Sequence, residues 1–211
     1  MLLRSYQYGN KISLIAIITL VFIISQNRIN LRNILAMRVV VQRVKSASVS
    51  LVAENGNNSQ IISQIGFGLV ALVGIHVDDT IEDVEYCCRR LINCKLWSND
   101  NDKPWKYSVK QKQYECLLVS QFTLYGTLSK KSYQPDYKLA MKSELAKILY
   151  EQFLQTMRTL YDNVPNKIYD GQFGAMMDVA LINDGPVTII IESRRDSSFI
   201  CGVNDDNNDV P

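Results

Sequence analysis

Runs of β-branched residues constrain the fold of this chain more than any other feature of its sequence. They are clearest in "RVVVQRV" (38–44) and "VTIIIES" (187–193), near the two ends of the central part of the chain. β-branched side chains favour the pleated, half-buried surface of a sheet, so both runs are predicted to be strands. Further strands are predicted in 46–52, in 61–75 as a pair, in 114–126, where the strand leads into a turn, and in 174–181.

Two helices are predicted to interrupt this succession of strands. The first, within 78–97, begins with Asp79 or Thr80 as its N-cap and has acidic residues in its first turn. The second spans 142–161. Because the elements do not alternate strictly as βαβ, we predict an α+β fold, a largely antiparallel sheet with one face covered by the two helices. The expected inward residues of the second helix are Leu145, Ile148, Leu149, Phe153, Met157 and Leu160.

The chain divides into three parts by composition. Residues 1–36 are basic without acids, and their apolar run 12–24 is shorter than the roughly 20 residues of a membrane-spanning helix. This part is a membrane or targeting leader, a transit segment, or an upstream stretch that is not translated. Membrane contact is expected only if the leader is real. We predict the domain in residues 37–196 and a disordered acidic tail in 197–211.

Cysteine usage favours a reducing compartment. The number of cysteines is odd, without C-x-x-C spacing, which argues against a disulfide framework or a zinc site. We therefore predict reduced thiols and a cytoplasmic protein. Residues 37–196 are nearly neutral, so nucleic acid would have to be bound by local patches. The cysteines are Cys87, Cys88, Cys94, Cys116 and Cys201.

Ordinary catalytic equipment is scarce in this sequence. The chain has a single histidine, His76, which follows an apolar strand in a structural position. It has no P-loop, no G-x-G-x-x-G and no H-E-x-x-H pattern, so we predict no cofactor and no metal. The adjacent acids Asp78 and Asp79 suit helix capping better than acid–base catalysis. Lys130 and Lys131 form a modest basic patch, which is a solvated loop or an RNA contact. An enzyme built this way would depend on backbone groups or on its substrate.

Two short motifs stand out, "SQFTLYG" (120–126) and "NDGPVT" (183–188). Together with the flanks "MRVVVQRVKSASV" and "GQFGAMMDVAL", they resemble the signature motifs of the D-aminoacyl-tRNA deacylases, over roughly residues 37–194. That resemblance implies a homodimer with sites at the interface, which hydrolyses the ester joining a D-amino acid, or glycine, to tRNA. Aminoacyl-tRNA is then the expected substrate.

The resemblance also assigns roles to the motif residues. Ser120, Gln121, Phe122 and Thr123 line the site, where backbone N–H groups near Phe122 and Thr123 hold the ester carbonyl as charge develops. The 2′-hydroxyl of the terminal adenosine helps to activate water.

The second motif is expected to select the handedness of the amino acid. The Gly185–Pro186 bond is cis in the family, and its loop enters the partner's site, where the rigid carbonyls exclude L side chains. Proline tolerates a cis bond, and glycine allows close approach of the backbone to a ligand. Arg43 would brace this loop. Phe173 and Met177 match positions that line the adenosine pocket, or are plain strand packing.

One loop departs from the family. There, a basic, glycine-containing segment resembling "KGxRPSF" usually follows the first motif. Residues 129–140, "SKKSYQPDYKLA", keep Pro135 and have Tyr137 for the phenylalanine, but lack the glycine and the second basic residue. This leaves room for an alternative, a non-catalytic dimer of the same fold that binds nucleic acid. A membrane-tethered interaction protein is a third hypothesis, which rests only on residues 12–24.

Overall fold

A computed structural model describes residues 36–52 and 60–193, which belong to one compact unit, Leu35–Arg194. The predicted leader and tail lie outside the described residues, as do residues 53–59. The helices are α1 (Ile81–Asn93), α2 (Ser143–Leu160) and a 3₁₀ turn (Phe122–Tyr125). The strands are β1 (Arg38–Leu51), β2 (Gln60–Ile65), β3 (Gly68–Gly74), β4 (Lys95–Trp97), β5 (Tyr107–Ser108), β6 (Glu115–Ser120), β7 (Thr127–Leu128), β8 (Pro135–Asp136), β9 (Ile168–Asp170) and β10 (Met177–Glu192).

The main sheet has the order β10-β1-β3-β6-β9 and is mixed rather than largely antiparallel. Strand β1 is antiparallel to β10 along its length, to β3 through Arg38–Val44, and to β2 through Ala47–Leu51. The pairs β3–β6 and β6–β9 are parallel. Parallel neighbours need a long crossover, and α1 and α2 lie in these two connections. The α+β class is confirmed. The prediction of a largely antiparallel sheet was wrong for the part formed by β3, β6 and β9, whose pairs are parallel.

The sheet curls towards a barrel instead of lying flat. Strand β2 leaves the second half of β1 and folds over the parallel strands, where the Ser63 hydroxyl donates to the carbonyl of Asp170 at the end of β9. A second, smaller core fills the inside of the curl. Its buried members are Val44, Ala47, Val49, Ile65, Val70, Leu117 and Val119.

Both helices pack on the outer face of this curled sheet and bury the larger core between them. The first helix begins after Thr80, whose N–H donates to the Asp83 carboxylate at 2.8 Å, so the predicted capping is confirmed. It ends at Asn93, earlier than predicted, because Lys95–Trp97 form a strand. The buried residues of α2 are Ala146, Tyr150, Phe153, Leu154 and Met157.

The predicted inward face of α2 was partly wrong. Leu145 and Ile148 are exposed, since the buried stripe begins at Ala146 and continues through Tyr150. Among the described helices, none is long and apolar enough to cross a membrane. The cysteines of the described part are free thiols, and burial raises the pKa of the Cys87, Cys88 and Cys116 thiols.

Candidate active site

The first motif lies at the carboxyl ends of the parallel strands. Ser120 is the last residue of β6 and stands opposite Val73 on β3. The N–H of Gln121 then donates to the Val73 carbonyl at 2.8 Å, and the chain turns away in one 3₁₀ turn. Phe122 and Thr123 are exposed at the top of this turn. The four predicted site residues of this motif therefore lie together where the parallel strands end at their carboxyl termini.

Two backbone donors of this turn are unused. The N–H groups of Phe122 and Thr123 donate to no acceptor within residues 36–52 and 60–193, as is usual for the first groups of a helical turn. The hydroxyl of Thr123 accepts a hydrogen bond from the Gln121 side-chain amide and is not held by a base. Adjacent N–H groups without an acceptor in the fold can stabilise a developing oxyanion.

Several side-chain contacts hold the turn in place. Arg38 of β1 donates through Nη1 to the Leu124 carbonyl at 2.9 Å. Tyr125 is buried, and its hydroxyl donates to the Ala36 carbonyl. On the solvent side, the Phe122 ring meets the edge of Tyr137, with 4.9 Å between ring centroids. Tyr137 thus links the altered loop 129–140 to the first motif.

His76 lies behind the turn and is fully buried. Its Nδ1 accepts a hydrogen bond from the Asp78 N–H at 3.1 Å, and its ring packs against Tyr125 with 5.3 Å between centroids. Burial lowers the pKa of the imidazole, so the ring is neutral at physiological pH. Its Nε2 has no hydrogen-bond partner in the described part of the chain. An imidazole so enclosed suits packing better than proton exchange with a substrate.

Asp170 is a titratable group near this edge that sequence reasoning missed. It ends β9 opposite Leu118, two positions before Ser120 on the neighbouring strand. Burial raises the pKa of its carboxyl above the ordinary range, opposed by nearby Arg158. The signal in the sequence was weak, because Asp170 stands in an ordinary-looking "YDGQ" turn.

Phe173 and Met177 follow β9 at the same edge. The N–H of Gly171 donates to the Leu118 carbonyl at 3.1 Å, which brings this segment beside the end of β6. Phe173 is half-buried and packs on the Tyr150 ring, with 5.7 Å between centroids. Met177 is also half-buried, and its sulfur accepts from the Gln172 N–H at 3.2 Å. Both residues pack against core clusters, so a packing role and a ligand role are compatible for each.

The second motif is a bulge within one long strand, not a turn between two strands. On β1 only Arg43 separates Gln42 from Val44, yet their β10 partners are Thr188 and Asn183, so residues 184–187 stand opposite one residue. The Gly185–Pro186 bond is cis, as expected from the resemblance, and Gly185 has φ +118°. Both residues are exposed. The unusual backbone pair therefore projects from a strand that continues on either side.

The base of the bulge is fastened to β1. The Asn183 side-chain amide donates to the carbonyls of Arg43 and Val187, at 2.8 and 3.1 Å. The Arg43 side chain contributes more: its Nε lies 2.9 Å from Oδ2 of Asp184, and its Nη1 donates to the Leu96 carbonyl. The contact with Asp184 is an ion pair without the alignment of a hydrogen bond. A methyl group on Gly185 would come within 3.2 Å of Arg43 Nη2, so the guanidinium lies directly against the loop.

The two motifs lie far apart within one chain. The bulge faces Arg43, which pairs with Leu69 of β3, whereas Ser120 pairs with Val73. Four residues along a strand span about 13 Å, and the three strand spacings from β10 to β6 add about 14 Å across the sheet. Measured along the surface of the sheet, the separation is therefore about 19 Å.

Known proteins match this fold and these motifs. A family model described as D-Tyr-tRNA(Tyr) deacylase matches residues 40–192. A D-aminoacyl-tRNA deacylase of Dictyostelium discoideum is 50% identical over 160 residues, which are 75% of this chain and 99% of that protein. The human D-aminoacyl-tRNA deacylase 1 is 45% identical over 157 residues, covering 74% of this chain and 70% of that protein.

A solved structure has a similar fold. One titled c-Myc DNA Unwinding Element Binding Protein has a TM-score of 0.66 at 43% identity and covers 74% of this chain and 98% of that chain. The mixed, barrel-like sheet, the two motifs and the similarity to known deacylases together define this protein as a hydrolase. The chain belongs to the D-aminoacyl-tRNA deacylase family.

Proposed function

We propose that the protein hydrolyses the ester bond of D-aminoacyl-tRNA, and of glycyl-tRNA mischarged on a non-cognate tRNA, releasing the amino acid and tRNA. Within the structure, the observation that carries this proposal is the pair of unused N–H groups at Phe122 and Thr123. An ester carbonyl placed there would find two donors without any rearrangement of the fold. Removal of one such donor typically costs about 10²–10³ in rate, so two preorganised donors supply a large part of catalysis.

The water is activated by the substrate itself in this proposal. His76 is enclosed, and the Thr123 hydroxyl is engaged by Gln121. A general base typically contributes about 10²–10⁴ in rate, so some group must supply that function. The 2′-hydroxyl of the terminal adenosine adjoins the ester and assists the attacking water. Ser120 and Gln121 line the site, and Phe173 and Met177 receive the adenosine.

A homodimer completes the site. The bulge of one copy enters the turn of the other, which resolves the separation of about 19 Å estimated from strand spacings. In the described sheet, β10 pairs only with β1, so its other edge is open along the strand. Ile182 and Ile190 of this strand are each about 60% exposed, at 59% and 63%. A long apolar edge strand invites pairing with another chain, and a second copy is the occupant that the two motifs require.

Handedness is selected by backbone in this arrangement. The carbonyls of Gly185 and Pro186 face the bound amino acid, an L side chain collides with them, and a D side chain points to solvent. Because the obstacle is backbone, rejection depends on chirality and not on the identity of the side chain. Arg43 braces the loop through Asp184 and so keeps this obstacle rigid.

The test is ester loss from D-Tyr-tRNA and L-Tyr-tRNA under identical conditions. We expect rapid release of D-tyrosine and little release of L-tyrosine above the spontaneous rate. Equal rates on both substrates, or none on either, would refute the proposal. Thr123→Pro, which removes the Thr123 N–H, should slow release by about 10²–10³.

A second function is kept because two observations favour it. Loop 129–140 departs from the family pattern, and a similar solved structure is titled as a DNA unwinding element binding protein. In that case the same fold binds nucleic acid without hydrolysis. Retained tRNA or DNA binding without ester loss from D-Tyr-tRNA would favour it. We further propose a cytoplasmic location and a domain of residues 37–196, the first on the free, mostly buried thiols.

A further inference from the structure

We propose that Arg38 is a positioning residue, which fixes the turn that presents the Phe122 and Thr123 N–H groups to the ester. The inference rests on the proposed function and adds a residue that lies outside both motifs. Arg38 does not need to touch the substrate. It acts through the backbone of the turn, from the first strand of the domain.

The guanidinium of Arg38 makes three contacts at once. Nη1 donates to the Leu124 carbonyl at 2.9 Å, and Nε donates to Glu192 Oε1 at 2.8 Å. Its Cζ lies 5.5 Å from the centroid of the Tyr125 ring. The register explains this convergence, because Arg38 stands opposite Gly74 on β3 and opposite Glu192 on β10. Arg38 thus joins the end of β10 to the turn.

Among the contacts of the turn, the one with Arg38 holds the Leu124 carbonyl. Within the turn, the Leu124 N–H donates to the Gln121 carbonyl at 3.3 Å, and the Gly126 N–H donates to the Thr123 carbonyl at 2.9 Å. The Leu124 carbonyl therefore depends on Arg38 for its direction, and it belongs to the residue immediately after Thr123. Misplacement of a catalytic group by about 1 Å can cost about 10²-fold in rate. Loss of Arg38 should act on the rate through this route.

Gly74 shows how closely the turn is seated on the sheet. A methyl group at Gly74 would lie 3.0 Å from Leu124 Cβ and 3.1 Å from the Tyr125 ring. The turn therefore rests on the backbone of β3 from one side while Arg38 holds it from β1. A planar guanidinium can donate to a carbonyl and a carboxylate through separate, fixed nitrogens, whereas a lysine ammonium is a compact point charge whose three donors sit on one nitrogen. Lysine should replace part of this function and methionine none.

The experiment compares Arg38→Met, Arg38→Lys and the control Arg89→Met. Arg89 forms an exposed ion pair with Glu85 on α1, at 2.9 Å, and contacts neither motif. Single-turnover hydrolysis of D-Tyr-tRNA gives the rate constant, and its dependence on protein concentration gives the apparent affinity. We expect Arg38→Met to slow hydrolysis by about 10–100-fold with affinity within twofold. Arg38→Lys should recover a measurable part, and Arg89→Met should match the wild type.

Hydrogen exchange separates positioning from general stability and needs no activity. In Arg38→Met, exchange at the Leu124 and Gly126 amides should accelerate while the β3–β6 ladder stays protected. Acceleration across the whole sheet, or a wild-type hydrolysis rate in Arg38→Met, would overturn the inference. If the wild type itself releases no D-tyrosine, the proposed function fails. Local exchange at Leu124 and Gly126 would then still decide whether Arg38 fixes the turn.

Discussion

Replacement of Arg43 by methionine should separate the rigidity of the Gly185–Pro186 loop from the ability to hydrolyse esters. The change keeps the length of the aliphatic stem and removes the guanidinium. It thereby deletes the ion pair with Asp184 and the hydrogen bond to the Leu96 carbonyl. The backbone carbonyl of Arg43 still accepts from Asn183, so the bulge stays attached at its base. The turn at Phe122 is untouched.

The cost can be bounded from the structure. The side chains of Arg43 and Asp184 are 18% and 24% exposed, so solvent screens their ion pair incompletely. We assign it about 1–2 kcal/mol, between an exposed pair and a fully buried one. The charged hydrogen bond to Leu96 adds about 1.5–3 kcal/mol. A total of about 2.5–5 kcal/mol corresponds to a fall in Tm of about 5–20 °C for a chain of this size.

The assay is paired: urea unfolding for stability, and hydrolysis of D-Tyr-tRNA and L-Tyr-tRNA for selectivity. We expect the ratio of the D to the L rate constant to fall at least about tenfold, because a loosened loop no longer collides with an L side chain; a 1 Å displacement is worth about 10². Arg89→Met is the matched control and should lose no more than about 0.5 kcal/mol, without change in selectivity. Lost stability with intact selectivity would show that Arg43 does not brace the selective loop.

Four further outcomes are expected. Gly185→Ala should reduce D/L selectivity about tenfold or more, measured by the same paired assay, since its φ is +118° and the added methyl would lie 2.7 Å from Val187 Cγ2. Thr123→Ala should keep single-turnover hydrolysis within about tenfold of wild type, as the hydroxyl is not the donor assigned to the ester. A tRNA ending in 2′-deoxyadenosine should bind normally and be hydrolysed about 10²-fold slower or worse. Asp170→Asn should leave the hydrolysis rate nearly unchanged. Normal hydrolysis of the deoxy substrate together with a slow Asp170→Asn variant would make Asp170 the base. His76→Asn should leave neutral-pH hydrolysis nearly unchanged. Burial lowers the pKa of His76 in the folded state, so below the ordinary His pKa of 6.5 the folded state binds fewer protons than the unfolded state. Wild-type stability to urea should therefore fall as pH drops through 6.5, and His76→Asn should weaken that dependence.

Local patterns in the sequence were sufficient for the long strands, for the two helices and for the position of the first motif. The Ile- and Val-rich runs gave the strands, and the acidic first turn after Thr80 located α1. They were insufficient wherever distant segments decide the outcome. Leu145 and Ile148 have the same local pattern as buried residues, but the sheet selects a stripe through Ala146 and Tyr150.

The second motif shows the same limit more sharply. Gly185 and Pro186 predict an interruption between the strands predicted in 174–181 and 187–193. Only the pairing with β1 reveals a bulge, because β1 continues past Arg43 and pairs with β10 on both sides of residues 184–187. Arg38 was missed for a related reason. Its partners Leu124 and Glu192 are 86 and 154 residues away, and no local pattern encodes them.

Strand β1 therefore relates the two motifs, although it belongs to neither. It pairs with β10, β2 and β3, and its two arginines contact one motif each: Arg38 the turn at Leu124, and Arg43 the bulge at Asp184. These contacts lie five residues apart, so one rigid strand holds the motifs at a fixed distance instead of bringing them together. In a two-fold dimer, each contact made by one copy is repeated by the other. A bulge that enters the partner's turn would then be matched by the partner's bulge entering the first turn. Separation within the chain is the geometry that such an exchange needs, and it would make both sites equivalent.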